Sequence, residues 1–243
     1  MTHMPGHHYP HTHPHAYPQA YPPPVPPKKS KAPLIVGIVV GVLLLGGAGT
    51  GVFFYLSAHA DGGSPPSGDT LAQECDRVSA ATRAKMRTTN PHRVPGADGG
   101  TGRKYVWCKW GQTEGVDGEG LRDLSVHMIE FTEANSDDQS PEKQAAAEFQ
   151  GNLKSRRTIA ENGVGADKTV VHKIEDIGDE AVLVEEFTDS AFYSVDLIFR
   201  KDRHVVTVGY QGWDAGLFSN VAPDAREFAG LVDAAAREVE AAL

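Results

Sequence analysis

Acidic residues are missing from the first 60 positions, and beyond position 56 no apolar run is long enough to cross a bilayer. Cysteine is nearly missing too: Cys75 and Cys108 are the two in 243 residues, and they are not spaced as CxxC. That spacing excludes a thioredoxin-like redox site. Basic residues are short in the C-terminal part. Lys28, Lys29 and Lys31 are the basic residues of the first 60, which leaves 20 basic against 32 acidic residues beyond them, a formal charge of −12. A nucleic-acid binder needs a basic face, so this balance argues against phosphate backbones as partners. Zinc-protease HExxH, the GxSxG elbow and calcium-loop spacing are also missing.

What is present divides the chain. Residues 34–56, LIVGIVVGVLLLGGAGTGVFFYL, run for 23 positions without a charge, proline or amide side chain. At about 1.5 Å per residue they make a helix of roughly 35 Å, against a hydrocarbon core of about 30 Å. Lysines stand before the run, and His59 and Asp61 after it. The positive-inside rule therefore predicts a cytoplasmic N-terminus and an outer C-terminal part, anchored by a single span. Gly37, Gly41, Ala48 and Gly51 share one face of that helix, the small-residue arrangement that lets two spans pack as a homodimer. The rival is a cleaved signal peptide, with Ala58-His59-Ala60 as a small-x-small site. The run is longer than a signal core of about 7–15 residues, which favours a retained anchor.

Residues 1–33 read as a disordered cytoplasmic tail. They hold nine prolines up to Pro27, six histidines up to His15, three tyrosines and almost no aliphatic side chain. Tyr21 to Pro27 suits polyproline II and a cytoplasmic partner with an aromatic groove. His3, His7, His8, His11, His13 and His15 offer loose divalent-metal ligands, although a solvated low-complexity tail is the plainer account, and no metal site or cofactor is assigned.

Residues 57–68 read as a Gly/Ser/Pro linker, and residues 69–243 as one extracytoplasmic domain. Its pattern predicts a helix from Thr70 to near Thr89, with Leu71, Cys75, Val78 and Thr82 on one face, then a Gly- and Pro-rich loop. Strands follow at 103–111 and 121–131. Ser140-Pro141 opens a second helix, with serine as cap and proline in the first turn. Further strands are expected at 170–174, 181–187, 192–200 and 205–210, then an amphipathic helix over 223–243. The order αββα-ββββ-α argues for an α+β fold, an antiparallel sheet covered by helices on one face.

Two outer cysteines in an oxidising compartment are most simply one disulfide, worth about 4 kcal/mol on the chain-entropy account; two buried free thiols are the rival. The helix bearing Cys75, then Val106-Trp107-Cys108-Lys109-Trp110, then Ile177-Gly178-Asp179-Glu180-Ala181, resembles a group of actinobacterial envelope domains of unknown function. These are often lipoproteins and are similar to the extracytoplasmic sensor domains of bacterial serine/threonine kinases. The resemblance spans about residues 70–240. It implies that Cys75 and Cys108 pair, and it implies a location and a fold more than an activity. No cysteine stands directly after the apolar run, so a lipid-attachment site is not expected there and the helix is expected to be the anchor.

Catalytic residues are not assigned. Ser140-Pro141-Glu142-Lys143 has SxxK spacing, but Lys168-Thr169-Val170 lacks the glycine of KTG and Ser136-Asp137-Asp138 is not SDN, so a helix cap explains the serine better. His92, His127, His172 and His204 stand singly. Trp107, Trp110, Tyr210 and Trp213 are the candidates for binding, because aromatic rings at strand centres and ends can line a groove for a glycan or peptide. Core packing beside the disulfide is the plainer account of the same rings. Trp213 is expected to be the most exposed, past the end of its strand. The sequence thus suggests an envelope domain that binds or senses a ligand. The alternative is a scaffold docking on another envelope protein, and a cell-wall hydrolase comes third.

Overall fold

In a computed structural model of the chain, the described residues are Tyr55, His59, 62–94, 102–163, 166–217 and 219–243. The tail, the apolar run apart from Tyr55, and the packing face of Gly37, Gly41, Ala48 and Gly51 lie outside them. Among the described residues no helix is long and apolar enough to cross a membrane.

A 3-10 turn, Gln73–Arg77, and a short helix α1, Ala80–Lys85, precede strands β1 (Asn90–His92), β2 (Arg103–Gly111) and β3 (Leu121–Phe131). Helix α2 (Pro141–Asn162) leads to β4 (Lys168–Ile174), β5 (Glu180–Phe187), β6 (Tyr193–Lys201), β7 (His204–Ala215) and β8 (Asn220–Val221), and α3 (Ala225–Ala241) closes the chain. The strand order is β1-β2-β3-β7-β6-β5-β4, with β8 paired to β7, and every pairing is antiparallel. Two meanders, β1–β3 and β4–β7, are thus zipped together along β3 and β7, and α2 is the crossover between them. The class is α+β with an antiparallel sheet, as the pattern of elements predicts.

Besides the unexpected short strands β1 and β8, four features differ from expectation. The helix expected over 70–89 is broken at Val78-Ser79. The Ser79 backbone N–H and both the Ser79 and Thr82 hydroxyls donate to the carboxylate of Glu238 on α3, at 2.6–3.0 Å. A tertiary acceptor therefore starts a new helix at Ser79, and local periodicity cannot see it. The strand at 205–210 continues to Ala215, because residues 121–124 of β3 extend the ladder to Trp213 and β8 pairs with Asp214 and Ala215. The expected linker is tied down: the Ser64 N–H donates to the Gln112 carbonyl at 3.0 Å, and buried Asn90 donates to Ser64 and Pro65 and accepts from the Ser67 N–H. Finally, helices cover both sheet faces, not one.

The alternation of strand residues explains the two faces. On one, Val106, Cys108 and Trp110 of β2 join Leu124, Val126, Met128, Val206, Val208, Tyr210, Leu197 and Phe199. Met86 and the α3 residues Phe228, Val232, Ala235, Ala236 and Val239 close over them. The Cys75–Cys108 disulfide, with a Cα–Cα distance of 5.6 Å, clamps the 3-10 turn onto β2. On the other face Ala145, Phe149 and Leu153 of α2 pack on Ile129, Phe131, Val182, Val184, Ile198 and Val205. Ser140 caps α2 by accepting from the Lys143 N–H, as the Ser-Pro pair predicts. Helix α2 covers that face only in part.

Candidate binding site

The strand alternation sorts the four aromatic candidates. Trp110 and Tyr210 are fully buried on the closed face. The Tyr210 hydroxyl donates to the Met86 carbonyl at 2.6 Å, and Arg83 stands 5.2 Å above the Trp110 ring. Both are core residues, so they do not line a ligand surface. Trp213 is half-buried near the end of β7, opposite Leu121, because its strand has not ended. Trp107 alone stands out to solvent, 51 % exposed, and it points to the α2 face.

Around Trp107 the uncovered part of that face forms a groove. Its floor carries the polar Ser125 and His127 of β3, Asp196 of β6 and Thr207 of β7 beside the apolar Ile129 and Val205. Its wall is the polar stripe Glu148, Asn152 and Arg156 on α2, four residues apart and so stacked along the helix. Together they enclose about 300 Å³. Beyond Trp107 and His127, which both spaces share, a second depression of about 800 Å³ extends past Tyr105 to Leu71, Glu74 and Lys104. The His127 ring lies 6.0 Å from Tyr105 in a stacked arrangement and 4.9 Å from Trp107 in a tilted one. Three rings in a row thus form a platform across β2 and β3, at the distances aromatic pairs prefer.

Gly209 is required by the groove floor. A Cβ there would stand 2.6 Å from Asp196 Oδ1 and 2.9 Å from Ser125 Oγ, too close for either. Its bare backbone lets the acid and the hydroxyl lean toward each other across β7. Arg156 enters from α2, donating to Asp196 at 2.5 Å and to Glu186 at 3.2 Å. Burial nevertheless holds the Asp196 carboxyl above the usual aspartate range, against the pull of Arg156. Burial also pushes His127 below the ordinary imidazole value, although Glu148 pulls the other way. The platform imidazole is therefore neutral at neutral pH. Among the described residues His127 makes ring contacts and no hydrogen bond to a hydroxyl.

Another cleft, about 640 Å³, opens between α2 and the β4–β5 turn, lined by Phe149, Leu153, Val171 and Ile174 with acidic residues of the turn. It has no exposed aromatic ring. Of the other single histidines, His172 pairs with Glu185 at 2.8 Å and His204 stands 3.9 Å from Glu130. Among the described residues no group of His, Cys, Asp or Glu is placed to hold a metal ion.

Sequence reasoning missed His127, Ser125, Asp196, Thr207 and the α2 stripe. The stripe was visible as Glu148, Asn152 and Arg156 beside the apolar Ala145, Phe149 and Leu153. What no pattern showed is that α2 lies over the polar strand residues and converts a solvent face into a groove. Comparison with family models, with curated proteins and with solved structures finds no match to this chain.

Proposed function

We propose that the chain is a single-pass envelope protein whose outer domain binds or senses a ligand without chemical turnover. The ligand it suits best is a neutral saccharide laid across Trp107. The observation that supports this most is the exposed indole beside a groove floored by hydroxyls, a carboxyl and a neutral imidazole. A sugar ring stacks its apolar face on an indole and spends its hydroxyls on side chains that both donate and accept. The likeness of residues 70–240 to actinobacterial envelope domains points in the same direction, as does the predicted span with its lysines inside.

The test is a titration of the detergent-solubilised chain with glycan strands purified from cell wall, followed by tryptophan fluorescence and by the His127 ring resonances. Shifts at His127 that vanish in Trp107→Ala support the reading. Unchanged resonances at saturating glycan refute it. The second reading, a scaffold subunit, rests on β4, whose outer edge has no strand partner among the described residues.

A further inference from the structure

The described chain exposes five large apolar or aromatic side chains: Tyr55, Trp107, Val116, Leu217 and Val221. Trp107 belongs to the groove. The other four gather at one end of the sheet, the end where the chain enters the domain.

The geometry brings them there step by step. Val116, 68 % exposed, lies in the turn between β2 and β3. Leu217, 66 % exposed, lies in the turn between β7 and β8, and Val221 pairs opposite Asp214 in that same hairpin. The two turns adjoin, since Gly120 abuts the backbone of Asp214 and Ala215. The entering chain meets them as well. Gly62 is packed on Gly120, and Ser64 is held between Gln112 and Glu114. His59 reaches Glu119 at 2.5 Å and packs on the Tyr55 ring at 4.3 Å between centroids. Tyr55 is already part of the apolar run. From Leu56 to Gly62 the chain can extend about 20 Å at most, so the domain stays within that distance of the predicted span.

We infer that this end of the domain, with Val116 and Leu217 foremost, seats on the outer surface of the lipid bilayer. Tyr55 then lies at the headgroup level, where tyrosine is favoured, and the two aliphatic side chains dip into the interface. The attraction is apolar, because Glu114 and Glu119 occupy the same turn as Val116 and an anionic surface would repel them. The partner is thus a zwitterionic interface. Seating this end down sets the sheet's strands steeply to the membrane, so the groove at Trp107 opens sideways above the lipid.

This inference rests on residues 34–56 being a retained span, and the experiment separates the two. The full chain is reconstituted into phosphatidylcholine vesicles, with a nitroxide at Val116→Cys, Leu217→Cys or, as a far-end control beyond β3, Ser136→Cys. The buried Cys75–Cys108 pair leaves the new thiol as the reactive one. Flotation with the vesicles after a carbonate wash reports the span. Collision rates with oxygen and with a water-soluble nickel chelate report the seating. The inference expects oxygen to win at positions 116 and 217 and the chelate to win at 136. It also expects the oxygen preference at 217 to fall severalfold when Val116→Glu is added. If the chain floats but 116 and 217 are as open to the chelate as 136, the seating is wrong and the span stands. If the chain does not float, span and seating fail together.

Discussion

The two faces of the sheet are built from alternate residues of the same strands, yet they are opposites. The face under α3 is dry: its aromatic side chains are buried, its disulfide joins the 3-10 turn to β2, and its buried cation, Arg122, lies 4.9 Å over the Phe228 ring and is paired with Asp214. The face under α2 is mixed: beside the apolar contacts of Phe149 and Leu153, its uncovered part carries hydroxyls, a carboxyl, an imidazole and an open indole. Burial of apolar area stabilises the first by about 25 cal/mol per Å². The second buries fewer apolar side chains and leaves a polar groove beside open space. On the proposed reading, stability rests mainly on one side of the sheet and recognition on the other.

Substitutions on the two faces should therefore separate in kind. Phe228→Ala removes the ring that packs on Tyr193, Tyr210 and Arg122, and should cost about 3–5 kcal/mol, read as a drop in denaturant midpoint at unchanged slope. Replacing Cys75 and Cys108 by serine opens a loop with a sequence separation of 33 and should cost about 3–4 kcal/mol, visible in the same measurement with and without reductant on the parent. Tyr210→Phe orphans the buried Met86 carbonyl and should cost about 1–2 kcal/mol.

A pH effect comes next in size. Because burial depresses the His127 pKa in the folded chain, the unfolded chain takes up the proton first as pH falls below its ordinary value of 6.5. Its contribution to stability is therefore complete above that pH and shrinks as pH falls toward the folded pKa. His127→Asn should reduce the loss of stability between neutral pH and the low end of that window. His204, shifted down for the same reason, keeps its own share. Smallest in stability is Trp107→Ala, expected within about 0.5 kcal/mol of the parent because the ring is half in water. A large loss there would erase the contrast between the faces.

The sequence carried the sheet well. Alternation in 103–111 placed Val106, Cys108 and Trp110 on one side and Trp107 on the other, as the structure has them. Ser140-Pro141 marked the start of α2, and Pro223 to Leu243 marked α3. What it could not carry were effects created by distant partners: Glu238 reaching 159 positions back to Ser79, Asn90 binding the segment at Ser64, and β3 prolonging β7 past Tyr210. The candidate site was legible only at Trp107. Trp110 and Tyr210 look alike as aromatic strand residues, and only the packing of α3 against their face makes them core. His127 looked like a single solvated histidine, because neither its ring contacts with Tyr105 and Trp107 nor the passage of α2 beside it leaves any trace in local spacing.

The most direct test of the account is binding of the detergent-solubilised chain to an array of neutral oligosaccharides, with the parent and Trp107→Ala compared at matched folding. The account predicts that the parent retains at least one class of saccharide and that Trp107→Ala weakens it at least tenfold. A parent that binds none of them, or a variant that binds as well as the parent, would contradict it.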